Sequence, residues 1–571
     1  MYRVPLRTCR AVTGRYAHAW PLAGGVSPGG ASLLTHRRPR CDATREEPVR
    51  ADATGTACLV GLAGILGGGY YALAHGRSQA PTEVASERSV QMCNWSGTRQ
   101  ATAKHVFSPE TKQQLADLVA WAHRSRQKVR PAGTGLSPNG LSQESRGMLS
   151  MAQLDRICTV DAEARTITVE AGATVDQILR ELQKHGLTLE NFSSITEQQI
   201  AGWTQVGAHG TGAQIPTVDE MITRLSLVTP GRGTLELSEA RDGELFRWAR
   251  VGLGSLGVVF LRVADMTLKC VPQFRLHEKT YCASVDEVRR GHAALLQDYR
   301  HVRYMWIPYT DTVVVVVSNV AKPGAVPKEP APEEERLQPF KDLLRKLRPA
   351  DCSDLSGLNF AQLRERLLKL DPLNADHVAQ VNRAEAEFWR RSTGERIGDS
   401  TEILGFECGG VQWVLENCFP CGTLSKPTLA DIDYLVDLKR LIEEERIPAA
   451  SPIEQRWTSR SRSFMSPAYS EGAEDIFSWV GVILYITDET RAPAIEKCFQ
   501  RYGALHADLT AAYGGAFHWG KVDLAYHQGR DREAALRKQL RERFDVQGFT
   551  ARRRELDPHN ILGNKLIDTV F

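Results

Sequence analysis

The sequence predicts an α+β protein built in two parts. Up to about residue 270, short strands alternate with amphipathic helices, and two glycine-rich loops, 129–140 and 205–213, interrupt this pattern. Beyond that point the strands and helices become longer and their order less regular. The chain has 571 residues, which is enough for two or three domains with a sizeable core.

Composition narrows the class of protein. Hydrophobic residues make up 42% of the chain and charged residues 24%, as is usual for a globular protein. A net charge of +3 is too near balance to favour nucleic acid as a partner. The 12 cysteines show CxxC spacing only at Cys418–Cys421, without a second pair. We therefore predict no metal site and mostly buried, reduced thiols.

Residues 1–50 have the composition of a mitochondrial targeting segment. Seven arginines and no acidic residue precede Asp42, and serine and glycine are frequent. Arginine-rich, acid-poor leaders of this kind are typical of organelle import signals. The alternative is a disordered basic tail.

A second feature of the N-terminal region is the uncharged segment 57–74. Its 18 residues reach the lower limit of a membrane-spanning helix, and Arg50 and Arg77 flank it. We interpret it as a candidate transmembrane helix that anchors the protein. A cleaved sorting signal and a mobile apolar arm remain alternatives.

Several elements of the first part follow from local patterns. Ser108 and Pro109 are typical of a helix start, with Ser108 as the N-cap. Thr166–Val169 reads as a strand, and apolar residues from Val175 to Leu182 recur at helical spacing before Gly186. The pattern predicts a β-α succession between the two glycine-rich loops.

The two loops are the first indication of chemistry. Gly133 and Gly135 can adopt positive φ and leave room for backbone N–H groups to surround an anion. A second loop of the same kind, 205–213, suggests a long diphosphate cofactor held at two points. Gly252–Gly257 also matches Gly-x-Gly-x-x-Gly, but it comes late in this part and leads into β-branched residues that continue a strand, so we do not interpret it as a dinucleotide fingerprint.

Longer motifs resemble one family. They are the first loop, Glu197–Ile200, Val206–Gly212, Tyr304–Thr312, Ile453–Thr458 and His518–Lys521. Together they resemble the L-galactono-1,4-lactone dehydrogenases, the mitochondrial aldonolactone oxidoreductases best known from plants. The resemblance covers roughly residues 90 to 571.

The resemblance implies a flavoprotein of the vanillyl-alcohol-oxidase (PCMH) type. Residues 90–270 would form an FAD-binding domain of two α/β subdomains. Residues 271–571 would form an α+β cap and substrate domain whose C-terminal end returns to the FAD domain. The implied reaction is the last step of ascorbate synthesis from an aldonolactone, with cytochrome c as electron acceptor. Some members associate with respiratory complex I, and the expected location is the mitochondrial inner membrane, facing the intermembrane space, with 57–74 as anchor.

The resemblance also implies a set of cofactor-binding residues. Backbone N–H groups of the first loop and the hydroxyl of Ser137 would hold the pyrophosphate of FAD, and the second loop would supply a further contact. The whole predicted set is Arg130, Pro131, Ala132, Gly133, Thr134, Gly135, Leu136, Ser137, Ser193, Ile200, Gly202, Gly207, His209, Gly210, Gly212, Val258 and Asn564. We interpret His209 as a structural hydrogen-bonding residue, with a role as base as the alternative.

Leu136 decides how the flavin would be held. Many relatives carry at this position a histidine that bonds covalently to the flavin, whereas leucine has no nucleophile. The plant lactone dehydrogenases also have leucine and hold FAD non-covalently. We therefore predict non-covalent FAD and favour the dehydrogenases over the sugar-lactone oxidases.

The catalytic candidates are Glu454, Arg456, Lys521 and His518. Alternation along a strand puts Glu454 and Arg456 on one face. A carboxylate can accept the hydroxyl proton, and an arginine can hold the lactone carbonyl and stabilise enolate charge. A cation such as Lys521, or His518, would stabilise reduced flavin. From the residues alone, an exposed ion pair on an edge strand is the alternative for Glu454 and Arg456.

Two further positions bear on reactivity. Plant enzymes have alanine where this chain has Ser193, a position near which a small residue can control oxygen access, and we predict poor oxidase activity. Cys408 matches a plant cysteine and is either oxidation-sensitive or an inert buried thiol. The competing functions are an oxygen-using lactone oxidase and a structural subunit of a respiratory complex. The sequence does not separate galactono- from gulono-lactone.

Overall fold

The computed structural model describes residues 84–260, 266–349, 355–405, 411–527 and 530–571. The predicted targeting segment 1–50, the apolar segment 57–74 and Cys408 all lie outside these residues. Within the described ranges, no helix is both long enough and apolar enough to cross a bilayer.

The first part begins with a four-stranded sheet in the order β1–β2–β4–β3. In it β4 runs parallel to both of its neighbours. The strands are β1 Ala85–Cys93, β2 Gln100–Ser108, β3 Arg130–Ala132 and β4 Met148–Ser150. One amphipathic helix, α1 Lys112–Ser125, buries Leu115, Leu118 and Val119 in the core beside this sheet.

The start of α1 corrects the predicted cap. The hydroxyl of Thr111 accepts from the Gln114 N–H, and the Gln114 side chain accepts from the Thr111 N–H, which completes a capping box. Ser108 is instead the last residue of β2. The prediction was wrong because Thr111 and Gln114 satisfy two helix-terminal N–H groups together.

A six-stranded sheet completes the first part. Its order is β10–β8–β11–β6–β5, and β9 pairs with β8. The strands are β5 Ile157–Asp161, β6 Thr166–Val169, β8 Ile222–Thr229, β9 Gly233–Ser238, β10 Val258–Phe260 and β11 Met266–Lys269. A small pair is formed by β7 Leu187–Thr188 and β12 Val271–Pro272. The helices of this part are α2 Val175–Lys184, α3 Ile200–Gln205 and α4 Gly243–Arg250, with a 3₁₀ turn at Val218–Met221.

The second part contains an eight-stranded antiparallel sheet. Its order is β16–β13–β15–β14–β18–β19–β17–β20. The strands are β13 Arg275–Ala283, β14 His301–Trp306, β15 Val313–Val320, β16 Gly394–Asp399, β17 Gln412–Thr423, β18 Ile453–Ser459, β19 Asp475–Tyr485 and β20 Ala516–Phe517. β18 therefore lies inside the sheet and not at its edge.

Helices lie between and after these strands in the sequence. They are α5 Val285–Asp298, α6 Glu333–Leu347, α7 Phe360–Leu370, α8 Ala375–Arg391, α9 Ser400–Leu404, α10 Ala430–Glu444, α11 Ala492–Ala512, α12 Arg530–Arg543, α13 Val546–Leu556 and α14 Lys565–Val570, with 3₁₀ turns at Glu489–Arg491 and Leu524–His527. Apolar side chains of α5, α10 and α11 form one core with alternate residues of β14, β15, β18 and β19. The opposite face of these strands carries the polar residues described next.

Candidate active site

The site is built on the face of the large sheet that the helical core leaves uncovered. Arg303 on β14 pairs across the strands with Arg456 on β18, and Arg456 pairs with Trp479 on β19. In the neighbouring row, Gly481 lies between Glu454 on β18 and Glu416 on β17. Directly opposite residues share a face, so these side chains form one polar patch. Gly481 has no side chain there and leaves space between the two carboxylates.

Glu416 is the centre of the patch. Its Oε2 accepts a hydrogen bond of 2.6 Å from Lys521 Nζ, and its Oε1 accepts one of 3.1 Å from Arg456 Nη2. His209 Nε2, from the second glycine-rich loop, lies 3.2 Å from Oε2. Glu416, His209 and Arg456 are buried, whereas Lys521 keeps 24% of its side chain exposed. Residues from both parts of the protein therefore share one carboxylate.

The charges around Glu416 determine its protonation. Burial by itself would raise the pKa of Glu416, but Lys521, His209 and Arg456 together hold that pKa well below its ordinary value. Burial lowers the pKa of His209, an effect that Glu416 opposes. Burial, reinforced by Lys521, lowers the pKa of His518 well below its ordinary value. Glu416 is therefore ionised and His518 neutral near pH 7.

His209 and His518 both flank the patch. The His209 ring stacks on Trp479 with centroids 3.8 Å apart, and His209 Nδ1 lies 3.0 Å from Gly210 O. His518 Nδ1 accepts from the Gly520 N–H, which fixes its ring. The ligand atoms of His209, Glu416 and His518 lie within 4.8 Å of one another. Glu416 already binds two protein cations, so this trio is better explained as part of the charge network than as a metal site.

Glu454 and Arg456 contact each other as the alternation predicts. Arg456 Nε lies 3.5 Å from Glu454 Oε2, and Arg303 Nη1 lies 3.9 Å from Glu454 Oε1. Arg456 and Arg303 are buried, while Glu454 is half-buried. The alternative of an exposed pair on an edge strand is wrong, because β14 and β19 flank β18.

A buried network on the other face holds β18 in register. Asp431 Oδ2 accepts hydrogen bonds from Trp457 Nε1 at 2.7 Å and from Gln455 Nε2 at 3.4 Å. It also lies 3.0 Å from His292 Nε2. Gln455 and Trp457 alternate with Glu454 and Arg456, so this clamp fixes the strand that presents the site residues.

The first glycine-rich loop has the geometry of an anion cradle. Among the described residues, no backbone N–H of 133–137 donates a hydrogen bond. Gly135 has φ of +73°, a conformation that favours glycine. A Cβ at Gly133 would lie 3.0 Å from Gln199 Oε1, a buried oxygen that has no partner. Successive backbone N–H groups of this kind can surround an anion such as a pyrophosphate.

Arg130 and Asn564 support the loop through its surroundings. The Arg130 guanidinium donates to the carbonyls of Leu141, Leu253, Gly254 and Leu562, and burial lowers its pKa to about 9. Asn564 Nδ2 donates to three carbonyls of the segment that follows the loop, those of Gly140, Leu141 and Gln143. The polar groups of both side chains are therefore used to fix backbone.

The second loop is inserted into the large sheet. The Gly212 N–H donates to Trp457 O at 2.7 Å, and Gly212 forms a parallel bridge with Thr458. The hydroxyl of Thr211 donates to Val302 O, and His301 Nδ1 lies 2.7 Å from Thr211 O. The loop thus lies between β14 and β18 beyond the point where their pairing ends.

The remaining predicted residues occupy the interface between the loops. Ser193 Oγ donates to Gln198 Oε1 and accepts from Trp203 Nε1 at 2.8 Å. Ile200 and Gly202 lie in α3, and Val258 is a buried residue of β10. Pro131 and Ala132 end β3, and the first glycine-rich loop continues with Thr134, Leu136 and Ser137. In the second loop, Gly207 (φ +63°) ends the turn after α3, and Gly210 packs against the Asn191 side chain.

Comparison with known proteins shows which family has this sequence and fold. A family model described as "FAD binding domain" matches residues 103–238, which include the cradle and the second loop. A second one, described as "D-arabinono-1,4-lactone oxidase", matches residues 266–570. An L-galactono-1,4-lactone dehydrogenase of Brassica oleracea is 47% identical over 497 residues, covering 84% of this chain and 82% of that protein. The chain belongs to the L-galactono-1,4-lactone dehydrogenase family.

More distant members and solved structures extend this result. An L-gulonolactone oxidase of Bos taurus is 26% identical over 492 residues, covering 86% of this chain and all of the oxidase. A crystal structure of cholesterol oxidase from B. sterolicum superimposes with a TM-score of 0.66 at 19% identity, covering 86% of this chain and 98% of the oxidase. The fold prediction, a two-subdomain FAD-binding domain with an α+β cap, is confirmed, and so is FAD as the cofactor.

Three polar residues of the site escaped the sequence prediction. They are Glu416, Arg303 and Asn139, whose Nδ2 donates to Trp519 O and Val522 O. A signal existed for Glu416, which is the only charged residue in the apolar run from Trp413 to Phe419. A charge in a buried strand requires partners, and the partners here come from three separate segments.

Proposed function

We propose that this protein oxidises L-galactono-1,4-lactone to L-ascorbate with FAD as cofactor. The observation that carries the proposal is the charged group Glu454–Arg456–Glu416 on the sheet face opposite the helical core, together with a loop whose N–H groups at 133–137 donate to no described residue. The names and the 47% identity of the plant relatives support the choice of substrate.

The chemistry begins with binding of the lactone between the two parts. Arg456 holds the lactone carbonyl and stabilises the negative charge that develops on it. Arg303, 3.9 Å from Glu454, helps to orient that carboxylate. Glu454 accepts the proton of the C2 hydroxyl. Bound FAD supplies the acceptor for the hydride of C2. The resulting 2-keto lactone enolises to the ene-diol of ascorbate.

Lys521 and His518 act on the cofactor side of the site in this proposal. Lys521, paired with Glu416, supplies positive charge that favours the reduced, anionic cofactor. His518 is neutral and provides a hydrogen-bonding group on the same side of the site as Lys521. His209 links the second loop to this network through Glu416.

The proposed setting is the mitochondrion, as in the names of the plant relatives. There the enzyme would pass electrons to cytochrome c at the inner membrane, facing the intermembrane space, with residues 57–74 as its anchor. Association with respiratory complex I is part of the same proposal. The proposed domain limits are 90–270 for FAD binding and 271–571 for substrate binding.

A second candidate function is an oxygen-using lactone oxidase, because L-gulonolactone oxidases are relatives. Ser193 favours the dehydrogenase, since its hydroxyl, fixed between Gln198 and Trp203, adds bulk where the family resemblance implies control of oxygen access.

Stopped-flow spectroscopy tests both candidates. The purified holoenzyme is reduced anaerobically with L-galactono- or L-gulono-1,4-lactone and then mixed with cytochrome c or with oxygen. We expect rapid flavin reduction by the galactonolactone and reoxidation by cytochrome c at least about 100 times faster than by oxygen. Fast hydrogen peroxide formation would support the oxidase instead, and no flavin reduction by any lactone would refute the activity.

A further inference from the structure

A small cavity lies on the site face of the sheet, one strand away from Glu454. Its volume is about 30 Å³, and nine residues line it: Thr211, Glu278, His301, Val302, Arg303, Val316, Ser318, Ile403 and Leu404. A cavity needs roughly 10–15 Å³ to hold one water molecule, so this one has room for a group of two heavy atoms.

The cavity shares one residue, Arg303, with the polar row of the active site. Arg303 lines it and pairs across the strands with Arg456. His301 lies two residues from Arg303 on the same strand, and therefore on the same face about 7 Å further along. A substrate that contacts Arg456 through its lactone carbonyl can thus extend its side chain past Arg303 towards His301.

His301, one of the lining residues, carries an unused hydrogen-bond acceptor. Its Nδ1–H donates to Thr211 O, which leaves a lone pair on Nε2. Nε2 is buried and has no partner among the described residues, and His301 as a whole is only 2% exposed. Burial lowers the pKa of His301 to about 4, so the ring is neutral at physiological pH. A buried acceptor left unpaired is costly unless a ligand completes it.

The other residues that line the cavity can also bind a hydroxyl group. Ser318 pairs with His301 on one side and with Glu278 on the other, so a hydroxyl and a carboxylate share the row. Glu278 is held by Arg396 Nε at 2.7 Å. Ile403 and Leu404 add an apolar contact for a carbon atom. The lining therefore combines acceptors for one O–H with a small apolar surface.

We propose that this cavity receives the terminal hydroxymethyl group of a six-carbon aldonolactone, whose hydroxyl donates to His301 Nε2. The inference rests on the proposed function and adds a specificity-determining residue to it. His301 would make the enzyme prefer six-carbon lactones over five-carbon ones.

Two lactones test this directly. D-arabinono-1,4-lactone has the ring configuration of L-galactono-1,4-lactone and lacks only the terminal hydroxymethyl group. The measurement is the ratio of kcat/KM for the six-carbon to that for the five-carbon lactone, obtained with the FAD-loaded enzyme. FAD content and thermal unfolding confirm that each variant is folded.

Two variants change the cavity in different ways. His301→Asn keeps a donor for Thr211 O but removes Nε2, and we expect the ratio to fall about 10-fold, the effect of one lost hydrogen bond. Val316→Phe fills the cavity, and we expect a fall of about 100-fold with the five-carbon rate changed less than about threefold. His277→Asn, on β13 beside Glu395 and away from the cavity, is the matched control and should leave the ratio unchanged.

The outcomes separate the two proposals. If wild-type enzyme oxidises both lactones and the cavity variants slow both equally, the cavity does not bind the hydroxymethyl group. If wild-type enzyme reduces its flavin with neither lactone, the proposed function itself fails. A reduced ratio in both variants but not in His277→Asn supports the inference.

Discussion

Glu454 is the residue on which the proposed proton transfer depends. It is half-buried, contacts Arg456 and Arg303, and faces the gap left by Gly481. Glu454→Gln keeps the shape but removes the base, so we expect kcat to fall about 100- to 10,000-fold with FAD content unchanged. Anaerobic flavin reduction measures the effect. A variant with a near-normal reduction rate would exclude Glu454 as base.

Leu136 predicts how FAD is attached. Its side chain cannot form a bond to the flavin, and the neighbouring N–H groups of 133–137 provide only hydrogen bonds. We expect all of the flavin to remain in the supernatant after acid precipitation of the holoenzyme. Yellow colour retained by the washed, precipitated chain would contradict this prediction.

We predict that Glu416 contributes to the stability of the folded protein. Glu416→Gln removes the buried negative charge that Lys521 and Arg456 share, and we expect a loss of about 3 kcal/mol at pH 7 in urea unfolding. The exposed pair of Glu444 with Arg440 provides the control, since Glu444→Gln should cost less than about 1 kcal/mol.

The pH dependence of this effect has a definite sign. The folded pKa of Glu416 is below its unfolded value of about 4.3, so its stabilisation is complete above that pH and is lost as the pH falls through the folded pKa. The difference between wild type and Glu416→Gln should therefore shrink under acidic conditions. A difference that stays constant down to pH 3 would contradict the proposed charge network.

At the scale of elements, the inserted second loop leaves no room for a side chain at Gly212. Gly212 has φ of +142°, and a Cβ there would lie 2.5 Å from Arg300 O. We expect Gly212→Ala to disrupt the contact with β18 and to reduce both FAD content and kcat at least about 10-fold. Gly291→Ala, in α5 where a Cβ meets no atom within 4 Å, is the control. Full activity of Gly212→Ala would show that the insertion is dispensable.

The periodicity of the sequence predicted individual helices and strands better than it predicted which strands pair with each other. Thr166–Val169 and the helix from Val175 were predicted from alternation and from helical spacing, and the structure has both. The register that brings Arg303 beside Arg456 depends on strands about 150 residues apart, which local patterns do not encode.

The same limit applies to the site. The contact of Glu454 with Arg456 could be predicted because the two share one strand and one motif. The contacts of Glu416 with His209 and Lys521 form only after three segments have packed together. The fold class followed from the succession of elements and from the family motifs. The functions of Arg130 and Asn564 as backbone anchors became visible only with the hydrogen bonds.

For the whole molecule, buried neutral histidines predict acid sensitivity. Burial lowers the pKa of His301 and of His527 to about 4 and that of His506 to about 3. Below pH 6.5 the unfolded chain binds protons at these sites and the folded chain does not, so stability falls with pH by up to about 1.4 kcal/mol per unit for each histidine.

Urea unfolding between pH 7.5 and 5 tests this prediction. We expect stability to decline steadily over this range, and His527→Leu to reduce the slope. A wild-type stability that is constant between pH 7 and 5 would contradict the expected proton uptake on unfolding.

The insertion of the second loop between β14 and β18 has a consequence for cofactor exchange. The loop is bonded to Trp457 and Val302, and the segment after the cradle is tied to Trp519 through Asn139. Neither loop can swing away without breaking these bonds, so the two parts have no simple hinge opening. We therefore expect FAD to be enclosed while the chain folds and to exchange afterwards only as slowly as the protein locally unfolds.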